Sequence, residues 1–378
     1  MRAVVLRSPG VPPSVEDVEL APPRAGELRV RVEAAGVCHT ELHYMSGDMS
    51  CPIPVVLGHE GVGTVEETGE GVEDVKLGDR VVFTWRPRCG QCEYCLTNRP
   101  VMCVYGRVQA RTGGLLDGTS RLSASGSGEG LHHFLGVSCF AEQAVVSRRA
   151  VVRVTNDVSP RIAAVTGCAV VTGVGAVVNV AAERGSLAGR AVLVVGAGGV
   201  GLSAVMGAAL VGADPVVVVD LAPEKLALAE RLGATHTVDA TGMSPDEVVA
   251  AVAEATAGGP EVAVDAVGAP ATIKQAFAAV RPGGTVVAVG LTAVNATVPV
   301  PVNELVQQQK RLVGSLYGSA NPPVDVPRLL ALHASGRLPL DLLVGATYSL
   351  EAVPAAYDDL RAGALGRGIV VPGLQDPA

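Results

Sequence analysis

The chain has 378 residues, which is enough for two domains of ordinary size. Hydrophobic residues make up 48% of it and exclude a largely disordered chain, and its 46 glycines show no three-residue period, which excludes collagen. The net charge of −8 argues against a general nucleic-acid binder and against a polybasic membrane binder.

The beginning of the sequence gives no sign of secretion. Only four apolar residues separate Arg2 from Arg7, too few for the core of a signal peptide. The most membrane-like stretch, residues 191–219, is interrupted by glycines and by Asp214-Pro215. A buried strand–helix–strand unit therefore fits it better than a spanning helix, and we expect a cytoplasmic protein without a membrane partner.

The residues before about 165 have the pattern of short strands. Residues 27–33 alternate apolar and polar side chains with period two, and residues 80–83 and 144–146 are further strand candidates between Gly and Pro turns. This pattern predicts a β-rich first domain. Residues 106–136 are polar and rich in Gly and Ser, and they are predicted to form a long surface excursion.

Four of the eight cysteines form one closely spaced run, Cys89-x2-Cys92-x2-Cys95-x7-Cys103. In a cytosolic chain such spacing favours a metal over disulfides. Tetrahedral zinc takes four thiolates at about 2.3 Å, and a short loop can supply them. Because the set leaves no open position, the run predicts a structural zinc site.

A second set of possible metal ligands is dispersed along the chain. Cys38 follows a predicted strand and is itself followed by His39, Thr40, Glu41 and His43. His59 is followed by Glu60, and Cys168 lies in residues 166–170. None is decisive alone, since a lone His or Cys is usually structural. The two remaining cysteines, Cys51 and Cys139, are interpreted as ordinary small residues.

From about residue 190 the pattern changes to strands that alternate with helices, which predicts a parallel sheet. The apolar strand candidates lie at residues 191–195, 216–220, 236–239, 262–266, 285–289 and 312–316. A helix is predicted at about 202–212. Six parallel strands with intervening helices favour the doubly wound dinucleotide-binding fold.

A glycine-rich loop joins the first of these strands to the helix. It contains Gly196, Gly198, Gly199, Val200 and Gly201, and the next strand ends in an acid, Asp220. Glycines let the backbone approach a pyrophosphate, which also meets free N–H groups at the helix N-terminus. The Asp220 carboxylate would accept hydrogen bonds from the ribose hydroxyls and repel a 2′-phosphate, so the motif predicts NAD(H).

Together these motifs resemble the zinc-dependent medium-chain alcohol dehydrogenases over essentially the whole chain. Gly58-His59-Glu60-x2-Gly63-x5-Gly69-x2-Val72 fits that family's zinc signature. The resemblance implies an α/β fold with a GroES-like, β-rich catalytic domain at 1–169 and 317–378, a structural zinc loop at 89–103, and a Rossmann domain at 170–316. It also implies two zinc ions per subunit, with Cys38, His59 and Cys168 as the catalytic ligands.

The resemblance further implies roles for individual residues. Thr40 would hydrogen-bond the substrate oxygen and pass its proton outward to His43, and Glu60 would lie beside the zinc ion. The residues expected to contact the cofactor outside the glycine-rich loop are His39, Thr172, Lys225 and Arg367. The residues expected around the substrate are Trp85, Phe134 and Leu135, although Trp85 could instead cover the edge of the core.

Two positions depart from the family pattern: Glu41 stands where an Asp is usual, and Ala169 follows the third zinc ligand where Gly is common. Residues 116–121 and 132–136 resemble the longer, mostly dimeric members, including glutathione-linked formaldehyde dehydrogenases. His43, which those tend to lack, favours a simple aliphatic or aryl primary alcohol.

The leading hypothesis is therefore an NAD-dependent dehydrogenase of primary alcohols that acts as a homodimer, or alternatively a tetramer. The other hypotheses are a formaldehyde dehydrogenase that acts on a thiol adduct, a reductase of a conjugated C=C or iminium bond, and a non-catalytic NAD-binding protein.

Overall fold

A computed structural model of the chain describes residues 1–180 and 185–374. The chain forms two compact units. The first consists of Met1–Cys168, Asn321–Ala331 and Val344–Ala378, and the second of Ala169–Ala320 and Leu332–Leu343. Unlike the expected division, residues 169, 317–320 and 332–343 belong to the second unit. The functions assigned to the two domains remain predictions.

The strands in the described part of the chain are β1 Arg2–Leu6, β2 Ser14–Leu20, β3 Glu27–Gly36, β4 Val55–Val56, β5 Gly61–Thr68, β6 Arg80–Phe83, β7 Leu122–Ala124, β8 Gly130–His133, β9 Gln143–Ser147, β10 Val151–Val154, β11 Val192–Val195, β12 Val216–Asp220, β13 His236–Asp239, β14 Val262–Asp265, β15 Thr285–Ala288, β16 Arg311–Gly314, β17 Val344–Tyr348 and β18 Arg367–Val370.

The α-helices in the same residues are α1 His39–Ser46, α2 Glu93–Leu96, α3 Val104–Thr112, α4 Pro160–Val165, α5 Val171–Gly175, α6 Gly199–Leu210, α7 Pro223–Arg231, α8 Pro245–Ala255, α9 Pro270–Ala279, α10 Val302–Gln307, α11 Pro322–Ala334 and α12 Val353–Arg361. Two π-helical turns, Thr166–Val170 and Ala176–Val180, follow α4 and α5.

The first unit is built from β-sheets, as predicted. Strands β1, β2, β7, β8 and β4 close into a barrel, and a second sheet has the order β10-β6-β5-β3-β18-β17, with β9 also paired to β3. The long strand β3 buries alternate side chains such as Leu28, Val30 and Val32 in the core between its neighbours. The predicted strands at 27–33, 80–83 and 144–146 are confirmed as β3, β6 and β9.

The prediction of a surface excursion at 106–136 is wrong. This segment contains α3 and supplies β7 and β8 to the barrel, where β7 pairs with β2 and β8 with β4. Leu115, Leu131 and Phe134 are buried. The buried Arg121 guanidinium binds both Glu27 carboxylate oxygens, at 2.9 and 2.5 Å, and ties the segment to β3.

The second unit contains a six-stranded, wholly parallel sheet in the order β13-β12-β11-β14-β15-β16. This is the strand order of the doubly wound dinucleotide-binding fold, as predicted. Its central strands are continuous apolar runs because helices cover both faces of such a sheet. All six predicted strands are present, but α6 begins at Gly199, three residues before the predicted start.

Among the described residues, one helical run, Pro160–Asn179, is long and apolar enough to span a membrane by length and composition. Within its most apolar window, 89% of the residues are buried inside the protein, as is typical of a core helix. The stretch 191–219 folds as strand, helix and strand, as predicted.

Candidate active site and metal centres

Three separate segments of the first unit bring metal-ligating side chains to one point. Cys38 caps the N-terminus of α1, directly after β3. His59 precedes β5, and Cys168 lies in the π-helical turn after α4. Gly58 holds a positive φ of 94°, and a Cβ there would lie 2.4 Å from the Phe140 backbone nitrogen. Only glycine therefore allows the chain to turn into His59 at this position.

The donor atoms of this cluster have the separation that a metal ion requires. Those of Cys38, His59, Glu60 and Cys168 lie within 4.8 Å of one another, and all four residues are buried. The His59 Nε2 atom is 3.4 Å from Cys168 Sγ. Two ligands on tetrahedral zinc are separated by about 3.3–3.8 Å, given zinc–ligand bonds of about 2.0–2.3 Å. The set therefore fits zinc.

Charged side chains hold these donors in place. The Glu41 Oε1 atom lies 2.7 Å from His59 Nδ1, so that Nε2 faces the two sulfur atoms. Glu41 is thus the carboxylate that orients the histidine, in the position where the resemblance implies an Asp. Glu60 forms a buried, two-point ion pair with the Arg367 guanidinium. Arg367 is only 5% exposed, so its assignment to the pyrophosphate remains a prediction.

The electrostatics of the cluster favour a cation. The Cys168 thiol, together with the charges of Arg367 and His59, holds the pKa of Cys38 well below its usual range in spite of burial. Burial lowers the pKa of His59, but the Glu41 carboxylate and Cys38 outweigh burial and raise the pKa to about 10. A metal bound at Nε2 would take the place of that proton.

The two residues predicted to move the proton both lie on α1. Thr40 Oγ1 is 3.4 Å from Cys38 Sγ, so its hydroxyl borders the ligand cluster. His43 follows three residues later and its Nδ1 is 3.3 Å from Asp48 Oδ2. Within residues 1–180 and 185–374, the structure shows no hydrogen bond between Thr40 and His43, and the relay remains a prediction.

The four-cysteine run forms the second cluster. Its sulfur atoms lie within 4.8 Å of one another, with Cys89 and Cys95 3.8 Å apart and Cys92 and Cys103 3.9 Å apart. These separations fit tetrahedral zinc and exclude disulfide bonds. The backbone N–H groups of Gln91 and Cys92 both donate to the Cys89 sulfur. Such donors stabilise a thiolate.

Aromatic side chains pack beside the first cluster. The Trp85 and Phe134 rings stand edge-on to the His59 ring, with centroid distances of 6.1 and 5.8 Å. Tyr44 of α1 contacts Phe134 edge-on at 4.9 Å. Leu135 is partly buried against the same core. The structure thus brings Trp85 and Phe134 beside the histidine, and Leu135 directly follows Phe134 in the chain. The substrate-pocket role of all three remains a prediction. Two cysteines have no expected role. Cys139 belongs to the hydrophobic core of this unit, and Cys51 is partly buried against that core.

In the second unit, the glycine-rich loop has the geometry of a phosphate-binding turn. Gly196 adopts a φ of +90°, and a Cβ at Gly201 would lie 1.7 Å from the Gly196 carbonyl oxygen. Gly198 caps α6, and a Cβ there would meet no heavy atom within 4 Å. The loop therefore leaves the helix N-terminus open to a ligand, with Gly199 and Val200 in its first turn.

The acid that ends β12 anchors this loop. Asp220 Oδ2 accepts a hydrogen bond of 2.6 Å from the Ala197 N–H, and its Oδ1 accepts from Leu221 and Ala222. The other predicted cofactor residues of this unit are Thr172, buried in α5, and the half-buried Lys225 of α7. His39, in the first unit, is exposed at the start of α1.

Three buried or half-buried polar residues escaped the sequence analysis. Asp265 ends β14 at the same sheet edge as Asp220; it is fully buried, and burial raises the pKa of its carboxyl. An acid at the end of a predicted strand was the available signal. Arg86 and Gln109 lie beside the aromatic cluster, and nothing in their local sequence distinguishes them from surface residues.

Comparison with known proteins identifies the family. The family model of the alcohol dehydrogenase GroES-like domain matches residues 24–156, and that of the zinc-binding dehydrogenases matches residues 199–335. The NDMA-dependent alcohol dehydrogenase of Amycolatopsis methanolica is 40% identical over 376 residues, covering 98% of both chains. This chain belongs to the zinc-dependent medium-chain alcohol dehydrogenases.

Two further relatives agree with this assignment. The geraniol dehydrogenase of Castellaniella defragrans is 39% identical over 350 residues, covering 91% of this chain and 90% of its own. The crystal structure of benzyl alcohol dehydrogenase from Acinetobacter calcoaceticus superimposes with a TM-score of 0.89 at 31% identity, covering 98% of both chains. The predicted family and its GroES-like and Rossmann domains are thereby confirmed, and the chain is an alcohol dehydrogenase.

Proposed function

We propose that this alcohol dehydrogenase transfers hydride between a primary alcohol, aliphatic or aryl, and NAD. The observation that carries the proposal is the meeting of Cys38, His59 and Cys168 at one buried point beside the Thr40 hydroxyl. Two thiolates and one imidazole are the ligands of a catalytic zinc ion that keeps a position open for substrate. The geraniol and benzyl alcohol substrates named for the relatives support this class of substrate.

A zinc ion held by these ligands would act as a Lewis acid on the substrate oxygen. The chain itself moves the proton and orients the ligands. Thr40 Oγ1 accepts the proton of the alcohol as its own hydroxyl proton passes outward, and His43, oriented by Asp48, is the outer acceptor of that proton. Glu41 keeps the hydrogen on His59 Nδ1, so that Nε2 is the atom free to bind the metal.

The second unit would bind the cofactor. The open turn at Gly198 and the N-terminus of α6 bind the pyrophosphate, and Asp220 accepts hydrogen bonds from the adenosine ribose. The negative charge of Asp220 disfavours the 2′-phosphate of NADP. The remaining proposed cofactor contacts are His39, Thr172, Lys225 and Arg367. The second zinc ion would be bound by the four-cysteine run.

A second electron acceptor is suggested by one of the relatives. The Amycolatopsis methanolica enzyme is named as NDMA-dependent and aligns over nearly the whole chain. NDMA is therefore the alternative to NAD as the compound that removes electrons from the enzyme. We further propose a cytoplasmic homodimer, with a tetramer as the alternative; sedimentation equilibrium at several protein concentrations distinguishes these states from a monomer.

An absorbance assay at the NADH band tests the proposal. The purified enzyme is mixed with NAD and a panel of aliphatic and aryl primary alcohols. Parallel wells contain NDMA in place of NAD, or formaldehyde with and without thiols. We expect NADH to form from plain alcohols and NAD. Turnover with NDMA but no net NADH would show that NDMA, and not NAD, is the electron acceptor. NADH from the thiol adduct alone would show that the adduct, and not a plain alcohol, is the substrate.

A further inference from the structure

One arginine beside the aromatic cluster has no counter-charge. Arg86 follows Trp85 directly, and its guanidinium carbon lies over the indole, 4.7 Å from the ring centroid. Within residues 1–180 and 185–374, the structure shows no carboxylate at ion-pair distance from Arg86, and its buried Nε has no hydrogen-bond partner. By contrast, the buried Arg121 and Arg367 each bind a carboxylate at two points.

The unpaired state of Arg86 is unfavourable. Burial lowers the pKa of its guanidinium, and the Tyr44 hydroxyl opposes that effect only in part. An arginine nevertheless stays protonated at neutral pH, so the positive charge remains. A partly buried cation with an unsatisfied donor is stabilised most when an anion supplies the missing hydrogen bonds.

A second polar side chain close to Arg86 is also unsatisfied. Gln109 of α3 is 2% exposed, and neither atom of its side-chain amide has a hydrogen-bond partner. It lies one helical turn after Gly106, where a Cβ would stand 2.6 Å from Arg86 Nη1. Buried amides are almost always hydrogen-bonded in folded proteins. Two neighbouring unsatisfied groups therefore point to one missing ligand.

Both side chains lie close to the proposed catalytic zinc site. The indole of Trp85 contacts both the Arg86 guanidinium and the His59 ring. Gln109 packs against Gly136, where a Cβ would lie 1.9 Å from the Gln109 Nε2 atom. Gly136 belongs to the same short turn as Phe134, which also contacts His59.

We propose that Arg86 and Gln109 bind a carboxylate on the far end of the alcohol substrate. The proposal rests on the proposed function and names the substrate class. A guanidinium stacked on one face keeps its N–H edge available for two-point binding of a carboxylate. The Gln109 amide supplies a further donor. Since the cation and His59 both contact the same indole, we expect the substrate to have about one aromatic ring, or an equivalent alkyl chain, between its alcohol carbon and its carboxylate.

Three matched substrates test this with the intact enzyme and NAD. They are 4-(hydroxymethyl)benzoate, its neutral amide, and the cationic 4-(aminomethyl)benzyl alcohol. We expect kcat/KM to be at least about tenfold higher for the carboxylate than for the amide, the range of a charged hydrogen bond. The cation should be the poorest substrate because it repels Arg86. Equal values for carboxylate and amide would overturn the proposal, whereas no NADH from any of the three would instead reject the proposed function.

Variants separate recognition from a structural role. Arg86→Gln should raise KM for the carboxylate about tenfold or more and leave kcat/KM for the amide unchanged. Arg86→Lys, which keeps the charge but not the fork, should retain part of the preference. Arg99→Gln, at an exposed arginine stacked on Tyr94, is the control and should change neither value. An equal loss for both substrates in Arg86→Gln would show a structural role and contradict the proposal.

The position of the only tryptophan gives a direct binding signal. Because Arg86 stacks on Trp85, binding of 4-(hydroxymethyl)benzoate should change the intrinsic fluorescence with saturation, without NAD. The amide should not produce this change at the same concentrations, and neither should the carboxylate with Arg86→Gln. A carboxylate could also belong to a thiol adduct, so formaldehyde with glutathione forms a separate kinetic arm. Unaltered emission on addition of the carboxylate would contradict the proposal.

Discussion

The two cysteine clusters are built by the chain in different ways. The four-cysteine cluster comes from one run of residues, 89–103, and its thiolates are bonded by the backbone N–H groups of that same loop. The cluster at Cys38 joins distant segments: His59 and Cys168, whose side chains are in contact, are 109 residues apart.

The surroundings of the two clusters differ as well. The Cys38 cluster is buried and is fixed by ionic partners, Glu41 on the histidine and Arg367 on Glu60. Two members of the other cluster, Cys92 and Cys95, are only half-buried. This contrast indicates that the fold prepares the buried cluster in advance, whereas the exposed loop depends on its metal for shape. Loss of metal should therefore reduce activity at the buried cluster and stability at the four-cysteine cluster.

Cys168→Ser should produce the largest effect, on activity alone. We expect kcat to fall at least about a thousandfold, since a catalytic metal supplies several kcal/mol to the transition state. The melting temperature should change little, because β-strands and ionic partners hold the cluster without metal. Steady-state kinetics and calorimetry measure the two quantities. A large drop in melting temperature with retained activity would show that the buried cluster is structural and would contradict this prediction.

Cys95→Ser should show the complementary result, on stability. Loss of this ligand should lower the free energy of unfolding by about 3 kcal/mol, because the loop loses the ion that fixes it. Activity at low temperature should stay within about twofold of the unmodified enzyme, since the chemistry takes place elsewhere. Urea unfolding checks the first expectation. Cys51→Ser, at a cysteine outside both clusters, is the matched control and should leave stability and activity unchanged.

Thr40→Val tests whether the chemistry belongs to the buried cluster. The change removes the hydroxyl beside Cys38 and keeps the shape, so we expect kcat to fall about a hundredfold from loss of proton transfer. Thr40→Ser should recover most of the activity. The zinc content should be the same in both variants. If Thr40→Val keeps full activity, another group accepts the proton.

Glu41→Gln tests whether charged partners preset the buried cluster. A neutral amide should hold His59 less firmly, and we expect zinc affinity to fall about ten- to a hundredfold. Competition with a chromogenic chelator measures this affinity, while the four-cysteine site in the same protein serves as an internal reference. Unchanged affinity would show that the ligands alone determine the site.

His133 separates the effect of burial from the effect of a metal. It is buried outside both clusters, and burial together with the charge of Arg121 lowers its pKa to about 3. The unfolded chain takes up a proton near pH 6.5 while the folded protein does not. As the pH is lowered from 6.5 to 3, this histidine should therefore reduce the free energy of unfolding by about 1.4 kcal/mol per pH unit. The free energy of unfolding of His133→Gln should lack this part of the pH dependence. The same pH dependence in the variant and the unmodified protein would contradict the prediction.

Local patterns predicted much of the fold. Strand β12 has the predicted bounds because a buried parallel strand is a continuous apolar run between turns. The edge strand β13 also has its predicted bounds, although its side chains are exposed or half-buried. The four-cysteine run and the glycine-rich loop could be predicted because all their groups lie within a few residues of one another. The dispersed ligands Cys38, His59 and Cys168 required the resemblance to a family.

What could not be predicted depends on distant partners. Strands β7 and β8 lie in a Ser- and Gly-rich segment, and they are buried only because β2 and β4 accept them into the barrel. The pairing of Arg367 with Glu60 joins residues 307 positions apart. Arg86 and Gln109 show the same limit, since being unsatisfied is a property of the folded surroundings and not of the sequence.

The most direct test measures zinc and NADH formation together. Elemental analysis of the purified enzyme, Cys168→Ser and Cys95→Ser is paired with the alcohol-dependent reduction of NAD by each protein. We predict two zinc ions per chain in the unmodified enzyme and one in each variant. Of the two variants, only Cys95→Ser should form NADH. Two zinc ions and full NADH formation in Cys168→Ser would contradict the assignment of the buried cluster as the catalytic site.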